Sequence, residues 1–173
     1  DLSLVDPDNR RSVDFERRGA LLRSLQHRVG GSILQLIAEL LAAPEDGQIK
    51  LFLIYRVLQA RRTELELFQR GAYQKLTVIG SLKSHVVAFA RELGERRALV
   101  VVPRFSSGLV KDGRYPLGET VWHETRVLPP AGSRLRWRDA LTGESVQGEE
   151  ALWLREVFQH FPVALLINEP GQG

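Results

Sequence analysis

The sequence has no cysteine and no methionine. Without cysteine there can be no disulfide, no cysteine nucleophile and no thiolate metal site, so the fold must hold by burial and hydrogen bonding alone. Without a methionine at position 1, the chain reads as a processed or cut piece of something larger. No apolar run approaches the ~18–20 residues that a membrane helix needs. The opening residues, Asp1 to Asp6, are acidic and polar, unlike a secretory signal. A cytoplasmic protein with no membrane partner is expected. Charge of one sign is also scarce, with a net +3. The arginines stand beside carboxylates, as in Glu16-Arg17-Arg18, Glu95-Arg96-Arg97 and Arg138-Asp139. No long basic block is interleaved with aromatics, so nucleic acid is not an expected partner.

The marks of catalysis are sparse as well. There is no P-loop, no GxGxxG after a strand and no GxSxG elbow. His27, His85, His123 and His160 lie far apart, and none has a partner at metal-ligand spacing. No metal and no cofactor are therefore expected. Gly30-Gly31-Ser32 precedes a helix and reads as an ordinary cap rather than an anion site. Asp6, Asp8 and Asp14 are the carboxylates that cluster most closely.

What is present divides near residue 72, where the apolar period changes. The pattern predicts an α+β protein with a helical segment over residues 1–72 and an antiparallel, β-sandwich-like domain over 73–173. Helices are predicted over 13–28, with Phe15, Leu21, Leu22 and Leu25 on the buried side, over 33–43 after an N-cap at Ser32, and over 48–62. The second is apolar so far round that it must be covered on more than one side. A short helical turn over 64–69 ends at Gly71. Beyond it, 73–79 alternates, and 85–91 with 98–103 forms a hairpin joined by Glu95-Arg96-Arg97. Val86, Val87, Val100, Val101 and Val102 make unbroken apolar stretches, expected to be covered on both faces. Further strands are predicted over 119–128, carrying Val121, Trp122 and Val127, over 135–137 and over 163–167. Residues 106–118 form a loop, 141–144 a turn, and 151–161 a helical or irregular stretch. Trp122, Trp137 and Trp153 read either as core residues or as platforms for sugar rings.

Several stretches then become familiar in order. "SLVDPDNRRSVDFERR" (3–18), "DGQIKLFLIYRVLQARR" (46–62), "ELFQRGAYQKL" (66–76), "HVVAFAREL", "RALVVVPR", "PLGETVWHETRVLPP" and "WRDALTGE" together resemble the maltooligosyltrehalose synthases of the α-amylase superfamily. Ser12 and Leu65 stand where that pattern usually has Pro. The resemblance implies that the helical segment is the last part of a (β/α)8 barrel, with its active site at the C-terminal face. It implies that the polar loop after the eighth strand, with Asp6, Asp8, Asn9, Arg10, Arg11 and Asp14, lies close to substrate. The implied reaction moves a reducing-end α-1,4 linkage of a maltooligosaccharide to α,α-1,1 within one molecule, through a retaining two-carboxylate mechanism. The implied catalytic carboxylates come from middle barrel strands, so none is assigned among these 173 residues, and the piece alone is expected to be inert. Its expected partners are a maltooligosaccharide and a second copy meeting the apolar surface left by the absent barrel. A non-catalytic carbohydrate-binding or interaction module, and a related trehalose-releasing hydrolase, are the alternative readings.

Overall fold

The structure is a computed structural model that describes residues 14–111, 114–132, 136–148 and 150–169. It separates into two compact units, Asp1–Leu58 and Gln59–Gly173. The class is α+β, with helices first and antiparallel sheets after.

The helical unit is written in its caps. Helix α1, Phe15–Val29, begins where Oδ1 of Asp14 accepts a hydrogen bond from the Arg17 N–H at 2.8 Å. Such a cap contributes about 1 kcal/mol. Glu16 in the first turn, with His27 and Arg28 in the last, complements the helix dipole. Helix α2, Ile33–Ala42, starts at the predicted cap, where the Ser32 hydroxyl accepts from the Gln35 N–H at 3.4 Å. Arg28 of α1 pairs with Glu39 of α2. A single 3-10 turn, Pro44–Asp46, closes at Gly47 in the left-handed region (φ 74°). Asp46 then accepts from the Gln48 N–H at 2.7 Å, and helix α3 runs Gln48–Thr63. Leu25, Leu36, Ile37, Leu40 and Phe52 are buried.

Phe15 departs from expectation. The apolar spacing puts it on the buried side of α1, yet it is 78% exposed. The Arg28–Glu39 pair ties the far end of α1 to α2. At 1.5 Å per residue, Phe15 stands about 20 Å back along the axis from that tie.

In the second unit, helix α4, Leu65–Arg70, buries Leu67 and stops at Gly71, whose N–H returns to the Leu67 carbonyl at 3.0 Å. A Cβ at Gly71 would stand 2.4 Å from that oxygen, which is why the chain turns there on glycine. The strands follow: β1 (Ala72–Lys75), β2 (Thr77–Ile79), β3 (Val86–Leu93) and β4 (Arg96–Pro103). After the helical turn α5 (Glu119–Trp122) come β5 (Arg126–Leu128), β6 (Arg136–Asp139), β7 (Ser145–Gln147) and β8 (Leu152–Trp153). The turn α6 (Leu154–Val157) and strand β9 (Ala164–Asn168) complete the described elements. Among them, one sheet has the order β1-β3-β4-β9-β6-β7 and a second has β2-β5-β8. Alternation decides the faces. Val86, Ala88 and Ala90 of β3, Leu99 and Val101 of β4, Ala164 and Leu166 of β9, Trp137 and Val146 turn into one core. Val127 and Leu152 of the smaller sheet, with Trp122, Leu154 and Phe158, join the same cluster, so both sheets share it.

Four stretches differ from the sequence reading. Residues 73–79 are not one strand: β1 joins the large sheet and β2 the small one, with Leu76 between them. The hairpin loop is not 95–97. Leu93 faces Arg96 across a two-residue turn of Gly94 (φ 58°) and Glu95, and Arg97 sits opposite Glu92, its ion-pair partner at 3.2 Å. The charges read as loop are cross-strand neighbours. Residues 119–128 do not form one strand, because 119–122 is helical and only 126–128 extends. There the Trp122 indole N–H donates to the Pro116 carbonyl at 2.8 Å, which draws the ring back under its own loop. The outer face of the valine stretches is only partly covered, with Val87 44% exposed.

Candidate functional site

Of the residues expected near substrate, Asp6, Asp8, Asn9, Arg10 and Arg11 lie outside the described residues. Asp14 lies within them, and its carboxylate is engaged in capping α1. No group of three or more His, Cys, Asp or Glu able to hold a metal occurs among the described residues. No helix there is long and apolar enough to cross a membrane.

The tryptophans sort cleanly. Trp122 and Trp137 are fully buried, and the Trp122 ring packs against Phe158 with centroids 5.0 Å apart. Neither offers a face to a sugar, so the platform reading fails for both. Trp153 is half-buried, and the guanidinium groups of Arg126 and Arg155 lie over its ring at 4.9 and 4.7 Å. Cations already occupy the surface that a sugar would need.

One buried polar arrangement among the described residues is one the sequence hid. Asp139, at the end of β6, is only 2% exposed. Its Oδ1 accepts from the Leu141 N–H at 3.0 Å and the Leu165 N–H at 3.3 Å, and its Oδ2 accepts from the Thr142 hydroxyl at 3.0 Å. The Thr142 hydroxyl in turn accepts from the Glu144 N–H at 3.2 Å. One carboxylate thus ties the turn after β6 to β9. Burial pushes the Asp139 carboxyl up to about 6, and the three hydrogen bonds only partly oppose that rise. Beside it opens a pocket of about 270 Å³, lined also by Glu144, Glu156, Gln159 and His160. Both Asp139 oxygens are committed to the protein, so the group works as a fastener rather than as an acid with a free proton path.

A second polar fastening ties the turn after β2 to the residues just before β5. Glu124 accepts from the Ser81 N–H at 2.8 Å, and this bond holds its carboxyl down to about 2. The Leu82 N–H reaches the buried Thr125 hydroxyl at 3.3 Å. Gly80 (φ 112°) passes so close that a Cβ there would meet the Thr125 Cα at 2.6 Å.

No protein-family model matches the chain. Two curated proteins from two strains of Mycobacterium tuberculosis, provisionally named maltooligosyl trehalose synthases, are each 35% identical over 169 residues. That match covers 98% of this chain and 17% of each relative. A solved structure of a point mutant of maltooligosyltrehalose synthase from Arthrobacter ramosus aligns with a TM-score of 0.69 and 31% identity. It covers 98% of this chain and 19% of that one. The matched length takes in both the caps of the helical unit and the Asp139 turn. Over nearly its whole length, the chain is a relative of one part of the maltooligosyltrehalose synthases.

Proposed function

We propose that these residues form the C-terminal portion of a maltooligosyltrehalose synthase, a cytoplasmic enzyme of trehalose biosynthesis. The whole enzyme converts the reducing-end α-1,4 linkage of a maltooligosaccharide to α,α-1,1 by intramolecular transglycosylation. The observation that carries this reading is 35% identity sustained over 98% of the chain. The catalytic carboxylates belong to the part of the enzyme outside these residues. The helical unit supplies the last barrel helices, and the loop with Asp6, Asp8, Asn9, Arg10 and Arg11 stands beside the substrate. Asp14 acts there as a positioning residue, because its cap fixes where α1 begins.

What the chain does alone follows from what it carries. It brings hydrophobic cores and fastened turns, and in the pocket beside Asp139 both oxygens of that carboxylate are already held by the protein. On α3, Ile54 (46% exposed) and Leu58 (55% exposed) stand one turn apart and leave an apolar stripe open. That stripe favours self-association of the isolated chain. The carbohydrate-binding-module alternative is weakened by the burial of Trp122 and Trp137.

The test is an assay of the chain and of the full-length enzyme on maltopentaose, following reducing ends and free glucose. The expected result is loss of reducing ends with the full-length enzyme only. Loss of reducing ends with the chain alone would overturn the reading, because an active site would then lie within these residues. Steady release of glucose or trehalose by the full-length enzyme would favour a hydrolase instead.

A further inference from the structure

A groove of about 650 Å³ lies in the second unit where β1 and β2 part company. Its floor is apolar, with Leu76, Val78, Val86 and Ala88 beside the exposed Val87. Tyr73 and Lys75 stand two apart on β1 and so share one face. Phe89 of β3 belongs to that face too, because the Tyr73 and Phe89 rings meet with centroids 5.1 Å apart. Tyr73 is nevertheless 62% exposed, so most of its ring stays open at one end of the groove. The register gives the groove its length. Tyr73 stands opposite Arg91 and Lys75 opposite Phe89, while the Arg104 N–H meets the His85 carbonyl at 2.8 Å. From Arg91 back to His85 the extended chain covers about 20 Å, with the rung of Lys75 about a third of the way along.

The walls carry one sign of charge. Lys75, Lys83 and Arg104 line the groove with Thr77 and Ser84, and no described carboxylate does. None of the three cations forms an ion pair with a described residue. Two of them are anchored before any ligand arrives. The Arg104 guanidinium lies over the Phe105 ring at 4.0 Å. Lys83 rides on the turn after β2, which is fastened by the Ser81 N–H to Glu124 at 2.8 Å and the Leu82 N–H to the Thr125 hydroxyl at 3.3 Å. The Lys83 N–H closes the same turn on the Gly80 carbonyl at 3.3 Å. Fixing the backbone in advance lowers the ordering cost of binding.

We propose that this groove binds a nucleoside polyphosphate, with the base against Tyr73 and the phosphates along Lys75, Lys83 and Arg104. This goes beyond the trehalose chemistry and does not depend on it. The volume lies within the range of small-molecule sites, about 300–1,000 Å³. An open aromatic ring stacks on any base, because every base has a π face. Phosphate oxygens are met by Lys as a point charge and by Arg as a two-pronged donor. With no described carboxylate on the walls, nothing there repels a polyanion. A single phosphate meets only one end of so long a row, whereas a base joined to several phosphates meets both. A neutral glucan gains nothing from the cations.

The experiment is equilibrium dialysis of the full chain against ADP and, separately, inorganic tripolyphosphate, at low salt and without divalent metal. Both should bind. Tyr73→Ala should weaken ADP about fivefold or more and leave tripolyphosphate unchanged. The double variant Lys83→Ala, Arg104→Ala should weaken both about tenfold or more, and added salt should act in the same direction. All three side chains are exposed, circular dichroism checks that the variants stay folded, and the single cation variants serve if the double one does not. ADP binding that ignores Tyr73→Ala would leave only an anion patch and overturn the proposal. Adenosine that binds as tightly as ADP would remove the cations from the account and overturn it too. A single-stranded oligouridylate that binds at least about tenfold more tightly than ADP would make the groove a nucleic-acid surface. Displacement of ADP by maltoheptaose would make it a glycan site. No binding of ADP at low salt sinks the proposal outright.

Discussion

The helical unit and the β unit use polar groups in opposite ways. In the helices, polar side chains work at the ends and on the surface: Asp14 and Ser32 cap, and Arg28 meets Glu39 in water. In the sheets, polar groups go inside: Asp139, Thr125, Thr142 and Asn168 are all buried. The reason is geometric. A helix satisfies its own backbone except at its ends, so it needs polar help only there. A sheet joined by short irregular turns carries backbone groups into the core, and each must find a partner. Asn168 illustrates this, with its side-chain oxygen accepting from the Arg97 N–H at 2.6 Å and its amide donating to the Glu95 carbonyl at 2.7 Å. The two units should therefore fail differently when single side chains are changed.

The largest effect is expected at Trp122. Replacing it with Ala should cost about 3–5 kcal/mol, through the lost ring and the cavity against Phe158. Urea unfolding followed by near-ultraviolet circular dichroism would read this, and a cost under ~1 kcal/mol would mean that the shared core is not what holds the sheets.

Asp139 sharpens the contrast through pH. Its carboxyl is raised from 3.8 to about 6 in the folded protein, so the folded state holds that proton more tightly than the unfolded chain does. The contribution is fully present below about 4 and is lost as pH rises to about 6, by about 3 kcal/mol in all. Asp139→Asn keeps one acceptor and cannot titrate, so the difference in urea midpoint between it and the parent should change across that window. Parallel pH profiles for the two proteins would remove the buried acid from the account.

Smaller effects are expected among the helices. Asp14→Ala should cost about 1 kcal/mol and fray the start of α1, visible as faster amide exchange at Arg17. Arg28→Ala, which breaks a partly exposed pair, should cost less than about 1 kcal/mol, and less again in high salt. If either matched Trp122→Ala, the distinction between the units would not stand.

The same contrast explains what could be read from the sequence. Caps are local, so Ser32, Gly71 and the ends of α2 and α3 were legible within a residue or two. The β3–β4 pair was legible from its valines, but not its turn, because Arg96 and Arg97 look like loop residues until Glu92 stands opposite. Residues 119–122 looked extended for a similar reason: the Pro116 carbonyl that captures Trp122 carries no period. β7 went unread because Ser145–Gln147 offers a single apolar residue, Val146. Asp139 was invisible as a buried group, since "DALTGE" has the composition of a surface turn and the Leu165 N–H comes from 26 residues away. The convergence of Lys75, Lys83 and Arg104 on one groove could not be foreseen either, because it arises only when the sheets form.

Strand β9 sits between β4 and β6, although it is the last described strand of the chain. During synthesis, therefore, the sheet cannot close in the order in which it is made. The β1-β3-β4 ribbon must wait, with the β4 edge bare, while more than sixty residues emerge and the partner of Val101, Ala164, becomes available. Contacts so distant in sequence fold slowly and leave an edge exposed to neighbours meanwhile. A ribosome stalled before residue 164 would present two half-sheets, each with the central seam open.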